Sequence, residues 1–89
     1  MRQVHVYYSG RVHGVGFRFT ARSIAAELGV KGWVKNVSGG RVEVLAEAEE
    51  KTLQEFLQRI GREFSHCIQD TDIDWKPASG NFKDFAVSF

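Results

Sequence analysis

Hydrophobic residues near the amino terminus change their spacing across a loop that contains three glycines, Gly10, Gly14 and Gly16. Val4, Val6 and Tyr8 alternate with polar neighbours, which indicates a strand with one buried face. After the loop, the apolar residues take the spacing of one helix face that Gly29 ends: Phe17, Ala21, Ile24, Ala25 and Leu28. A strand and a helix that each have one apolar face must bury those faces together, so the chain is predicted to form layers of both.

The rest of the chain continues the alternation of strands and helices. Residues 31–37 and 41–47 indicate two strands joined by a glycine turn, and a helix is predicted from about Glu49 to Arg62. Residues 68–75 and 85–89 indicate two more strands, separated by Pro77 and Gly80. The order β-α-β-β-α-β plus a C-terminal β predicts an α+β fold, a two-layer ferredoxin-like sandwich. In it, an antiparallel sheet of four to five strands carries two helices on one face.

Length and charge limit the function classes. With 89 residues, the chain is predicted to be one domain spanning 1–89. A net charge of +1 is too small for a protein that coats nucleic acid, and no apolar run approaches the ~20 residues of a membrane span. We see no secretory signal, so a cytoplasmic location is expected. The single cysteine, Cys67, is interpreted as a half-buried thiol with no catalytic or metal-binding role.

The glycine-rich loop is predicted to bind an anion. Glycines at positive φ let successive N–H groups point into one concavity, and the first turn of the following helix adds free N–H groups. Arg18 lies in that turn, where a cation is unfavourable unless an anion is bound beside it. A structural turn with a solvated Arg18 fits the local pattern equally well. The loop lacks the Gly-Lys-Ser/Thr of nucleotide-binding loops, and Phe19 replaces the third glycine of the dinucleotide motif.

Asn36 is predicted to lie near this loop. A strand-helix-strand crossover leaves its two strands parallel, so the carboxyl ends of the first two strands meet at one sheet edge. We expect Asn36 to end the second strand there, with an amide that can hold a water against a bound phosphate. A role at the start of the hairpin turn is an alternative, and the two roles are compatible.

No metal or cofactor is predicted. Asp70, Asp72 and Asp74 resemble the start of a calcium loop, but Trp75 occupies the position that requires glycine. These aspartates are interpreted as the solvent-exposed face of a strand whose other face carries Thr71, Ile73 and Trp75. The three histidines have no metal-ligand spacing with one another or with Cys67.

At the glycine-rich loop and around Asn36, the sequence resembles signatures of the acylphosphatase family, and the resemblance extends along essentially its whole length. The first family signature reads Gly-Arg-Val-Gln-Gly-Val-x-Phe/Trp-Arg, and residues 10–18 match it except at His13. The second signature matches at 32–36 and 40–42, and it departs at Ala48, where glycine is usual. The loss of that glycine raises a question only about the entry to the second helix.

The resemblance implies a small acylphosphatase that hydrolyses acyl phosphates to a carboxylate and inorganic phosphate without a metal. By motif position, Arg18 grips the phosphoryl group and Asn36 orients the attacking water. The phosphate is held by the loop backbone, whose residues are Val12, His13, Gly14, Val15, Gly16 and Phe17, together with Arg18. His13 is expected to be tolerated. The expected ligands are a small-molecule acyl phosphate and inorganic phosphate as product and competitor, and a monomer is expected.

Three other readings remain at this point. The chain resembles a module of a larger carbamoyl-transferring protein such as the hydrogenase maturation factor, although no zinc-binding repeats follow Phe89. RNA-recognition motifs share the strand order, but residues 41–47 contain no aromatic residue and two acids. A phosphate-binding protein that has lost turnover is the third alternative.

Overall fold

A computed structural model describes all residues from Met1 to Phe89. It contains five strands and two helices in the predicted order. Their bounds are β1 Arg2–Gly10, α1 Phe17–Leu28, β2 Lys31–Val37, β3 Arg41–Ala48, α2 Glu50–Glu63, β4 Ile68–Pro77 and β5 Phe85–Ser88. The replacement of glycine by Ala48 leaves the entry to α2 intact, because β3 runs to Ala48 and α2 begins two residues later.

The strands form one sheet in the order β4-β1-β3-β2-β5. β3 lies between β1 and β2 and is antiparallel to both, so β1 and β2 run in the same direction. Their carboxyl ends therefore meet at one edge, as the crossover argument predicts. The fold class is confirmed, with one difference: the sheet is mixed, because β5 pairs in parallel with β2. The chain reaches that edge by a connection that crosses from β4 on the opposite edge.

The core lies between the sheet and the helices. The alternating residues predicted to face inward are buried, including Val4, Val6 and Tyr8 on β1. Phe17 begins the buried face of α1 and stacks on Phe64 with ring centroids 4.5 Å apart. This packing fixes the start of α1, and thus the glycine loop before it, against the rest of the molecule. Neither helix has the length and apolar character that a bilayer crossing needs.

Two expectations about the edge strands are wrong. The apolar face predicted for β4 is only partly buried: Trp75 packs against the core, but Ile73 is 43% exposed and Thr71 is also exposed. The reason is position: β4 is an edge strand of the sheet, and β1 is its one neighbouring strand. The predicted last strand includes Phe89, but β5 ends at Ser88 and Phe89 is 93% exposed.

Candidate active site

A concavity of about 280 Å³ lies where the glycine loop meets the amino terminus of α1. Its lining residues are Val12, Gly14, Gly16, Phe17, Arg18, Phe19 and Asn36. The structure thus brings together six of the predicted site residues from the loop, α1 and β2. The side chains of His13 and Val15 do not line this space. Phe19 lines it as well, although it is not among the predicted site residues.

Three larger grooves lie elsewhere, and the largest of them suits an anion less well. The largest, about 490 Å³, runs along α1 and α2 and is lined by both acidic and basic residues. Its Arg59 already pairs with Glu27 at 2.7 Å. In the 280 Å³ concavity, by contrast, Arg18 is the sole charged residue in the lining. An anion there meets positive charge without a competing carboxylate.

The loop needs glycine for its backbone conformation. Gly14 and Gly16 have φ values of 73° and 78°, in the left-handed region that other residues rarely adopt. A Cβ at either position would have no atom within 4 Å, so crowding is not the constraint. Turning the backbone in this way exposes consecutive amides on one side, which is the geometry of an anion-binding nest.

These amides have no partners within the main chain. The N–H groups of residues 12–19 donate to no backbone carbonyl, and the first donor of α1 is Thr20, whose N–H reaches the Gly16 carbonyl at 3.0 Å. Gly16 caps the helix without a side-chain hydrogen bond, and the first turn contains no acid. A row of free donors thus ends at the positive end of the helix dipole.

Arg18 is half-buried beside this row of amides. One of its guanidinium nitrogens donates to the Ser88 carbonyl at 3.4 Å, and its Cζ lies 4.8 Å from the centre of the Phe89 ring. It takes part in none of the ion pairs of the molecule. Its charge is therefore held by neutral groups, and its remaining donors are free for an anion.

Asn36 is exposed and lies one residue before the end of β2, where it pairs with Val42. The predicted turn role is wrong, because the turn consists of residues 38–40. The strand instead holds the Asn36 backbone in the sheet, and the residue lines the concavity. The fixed backbone leaves the amide group as the part that can bind a ligand or a water.

The His13 side chain connects the loop to the sheet. Its Nε2 lies 2.6 Å from the carbonyl oxygen of Arg41, the first residue of β3. Because a carbonyl can only accept, Nε2–H is the donor. Arg41 pairs with Val37, next to Asn36, so this bond ties the loop to the hairpin that presents Asn36.

That hairpin is also fixed on the open face of the sheet. Glu43 accepts hydrogen bonds from His5 at 2.6 Å and Tyr7 at 3.0 Å, and Lys35 lies 3.8 Å away. Burial alone would raise the pKa of Glu43, but the hydrogen bonds from His5 and Tyr7 and the charge of Lys35 hold it below its ordinary value. Glu43 is therefore an anion at neutral pH and braces β3 against β1 and β2.

The family model and the curated relatives point to one family. The acylphosphatase family model matches residues 4–87. An acylphosphatase of Roseiflexus sp. (strain RS-1) is 39% identical over 98% of this chain and 95% of its own length. The crystal structure of acylphosphatase from Bacillus subtilis superposes with a TM-score of 0.92 at 34% identity, covering 100% of both chains. Full-length HypF, in its phosphate- and nucleotide-bound form, contains a similar unit: the TM-score is 0.81 at 28% identity, over 12% of that chain.

Proposed function

Because this chain belongs to the acylphosphatase family and is an enzyme of that activity, we propose that its loop amides and Arg18 hold the phosphoryl group while Asn36 orients the attacking water. The substrate is a small-molecule acyl phosphate. The observation that supports this mechanism is the shared concavity, which is lined by loop residues whose amides have no main-chain acceptor, by Arg18, which forms no ion pair, and by Asn36.

The chemistry matches these donors. Phosphoryl transfer passes through a loose transition state with negative charge on three equatorial oxygens. Amides that are already free and fixed stabilise such charge without reorganisation. The guanidinium of Arg18 adds two parallel hydrogen bonds to phosphate oxygens, a geometry that a lysine cannot provide.

The step itself is a displacement at phosphorus. The water oxygen forms a bond to phosphorus, and the bond between phosphorus and the bridging acyl oxygen breaks. The electron pair of that bond leaves with the carboxylate, which is a weak base and needs no proton donor. The water proton passes to the phosphate product or to solvent. The side chain of Asn36 accepts a hydrogen bond from the water and aligns it.

The first test compares two substrates in the presence of a metal chelator. We expect release of inorganic phosphate from acetyl phosphate and none above background from a phosphate monoester, whose alkoxide leaving group needs a proton donor. Activity that disappears with the chelator would reject the metal-free mechanism. Metal independence, a cytoplasmic location and a monomeric state stay predictions.

The second test removes the two side chains. We expect Arg18→Ala and Arg18→Lys each to lose at least about 10²-fold in kcat/KM, and Asn36→Ala to lose about 10²-fold in kcat. Arg62→Ala, on α2, and Asn81→Ala, in the connection before β5, are matched controls outside the concavity. Wild-type turnover in an Arg18 or Asn36 variant would remove that residue from its role.

A further inference from the structure

A second groove lies between the carboxyl end of α1 and the start of β5, apart from the catalytic concavity. Its volume is about 420 Å³, and its lining residues belong to two segments, 22–31 and 83–85. None of these residues lines the catalytic concavity. Sites for small molecules have volumes of about 300–1,000 Å³. The groove is therefore large enough for a small ligand.

The apolar part of the lining is held in place by the core. Ala25, Val30 and Phe85 line the groove and are buried. The Ala25 carbonyl accepts the N–H of Gly29 and, at 2.9 Å, that of Val30, which fixes the end of α1. Phe85 packs edge-on against Phe56 with ring centroids 5.7 Å apart. A groove built from fixed groups binds a ligand at a low cost in conformational entropy.

Three cationic residues, Arg22, Lys31 and Lys83, also line the groove, and all three are exposed. None of them takes part in an ion pair. Arg22 lies against the neutral ring of Phe19, with its Cζ 5.3 Å from the ring centre. The one carboxylate in the lining is Asp84, and the negative end of the α1 dipole adds about half a charge. The groove therefore has an excess of positive charge beside a fixed apolar surface.

This combination favours an anion with an apolar body. An inorganic anion would leave the apolar lining in contact with water, and an uncharged molecule would gain nothing from the cations. An organic anion uses both parts of the lining. The groove of about 360 Å³ beside β4 shows the opposite charge, since Asp72 and Asp74 line it without any lysine or arginine. Charge thus distinguishes the groove at the end of α1 as the one suited to an organic anion.

We propose that this groove is a second ligand site, which binds a small organic anion with a ring-sized apolar body. The apolar body packs against Ala25, Val30 and Phe85, and the anionic group lies near Lys31 and Lys83. Because the groove and the catalytic concavity share no residue, this inference does not depend on the proposed function.

Two fluorescent probes test the site. Anilinonaphthalene sulfonate is an apolar anion that fluoresces on apolar protein surfaces, and phenylnaphthylamine has the same aromatic groups without the sulfonate. We expect the double variant Lys31→Glu/Lys83→Glu to weaken sulfonate binding by about tenfold and to keep the affinity for the neutral probe within about twofold. Fluorescence titrations give both dissociation constants.

The matched control is Lys51→Glu/Lys76→Glu, which changes the net charge equally at exposed lysines outside every groove. It should bind the sulfonate as the wild type does. Asp84→Asn removes the one carboxylate of the lining and should tighten sulfonate binding about threefold. All these variants should hydrolyse acetyl phosphate within about twofold of the wild type, which shows that they fold.

A competition experiment separates the groove from the catalytic concavity. Saturating inorganic phosphate should leave the sulfonate bound, with sodium chloride of equal ionic strength as the reference, and Arg18→Ala should bind the sulfonate like the wild type. Displacement by phosphate, or loss of binding in Arg18→Ala, would overturn the second site. Equal sulfonate affinity in the groove variant and the control variant would overturn it too, as would an equal loss of both probes in the groove variant.

Discussion

Arg18 lies at a position that is unfavourable for a cation. It occupies the first turn of α1, where the positive end of the helix dipole destabilises a cation by about 0.3–1 kcal/mol. The Ser88 carbonyl and the Phe89 ring are its partners, and both are neutral. A bound dianion would reverse the sign of the local potential. The residue is thus better suited to the liganded enzyme than to the free one.

This predicts that phosphate stabilises the wild-type fold through Arg18. At a phosphate concentration of one hundred times Kd, the free energy of unfolding should rise by about 2.7 kcal/mol. Arg18→Ala should show a much smaller rise at the same concentration, because the affinity falls. Thermal unfolding with and without phosphate measures this, with sodium chloride of equal ionic strength as control. An equal rise in both proteins would mean that phosphate binds elsewhere.

His13 is the residue at which the loop departs from the family signature, and its hydrogen bond to Arg41 predicts the effect of replacing it. His13→Gln should keep kcat/KM within about twofold, because a glutamine amide can also donate to the Arg41 carbonyl. His13→Ala removes the donor and should raise KM up to about tenfold, the value of one net hydrogen bond. Steady-state kinetics of the two variants decide the matter. Wild-type kinetics in His13→Ala would show that the loop holds its shape without this bond.

At the scale of elements, a glycine in the loop and a glycine in α2 differ in backbone conformation. Gly16 has a φ of 78° and precedes α1, whereas Gly61 lies inside α2 without a positive φ. Neither position would crowd a Cβ. Because added packing contributes at neither site, substitutions there report the effect of backbone conformation alone.

We expect Gly16→Ala and Gly61→Ala to change stability in opposite directions. Gly16→Ala should lower the free energy of unfolding by about 1–2 kcal/mol, because alanine is strained at positive φ. Gly61→Ala should raise it by about 0.5–1 kcal/mol through helix propensity. Urea denaturation of both variants measures the pair. A stabilising Gly16→Ala would show that the loop can relax to negative φ.

At the scale of the whole molecule, one buried carboxylate joins distant parts of the chain. Glu47 on β3 accepts hydrogen bonds from Gln3 on β1 at 2.7 Å and from the Ser79 and Gly80 amides at 2.7 and 3.0 Å. The Ser79 hydroxyl donates a further bond at 2.8 Å. Glu47 thereby anchors the connection between β4 on one sheet edge and β5 on the other. This anchor also helps to position β5 and Ser88, which follow the connection.

This arrangement predicts a loss of stability in acid. Burial tends to raise the pKa of Glu47, but the hydrogen bonds from Ser79, Gln3 and Gly80 outweigh it and lower the pKa below 4.5. Because the folded-state pKa is the lower one, the stabilisation is complete above about pH 4.5 and is lost as the pH falls through the folded value.

The variant Glu47→Gln tests this at two pH values. At pH 7, it should lower the free energy of unfolding by about 1–3 kcal/mol, since a neutral amide cannot satisfy four donors as well. As the pH falls from 4.5 through the lowered folded pKa of Glu47, the gap between variant and wild type should narrow, because the wild-type carboxylate then takes up a proton. A gap of constant size across the pH range would assign the effect to packing rather than to charge.

Much of the fold and of the candidate site could be predicted from local patterns. Apolar spacing placed the strands and helices, and the crossover rule brought Asn36 to the glycine loop and Arg18, since such rules act between neighbouring elements. The sequence alone thus determined the layers and the meeting of the glycine loop, Arg18 and Asn36 at one place. Only the tertiary structure decided that β4 lies at the sheet edge and that β5 pairs in parallel beside β2, which brings Ser88 and Phe89 to Arg18. The same is true of Glu47, whose partners lie far from it in sequence. These contacts join residues far apart in the chain, and the order of strands in the sheet, which no local periodicity encodes, brings them together.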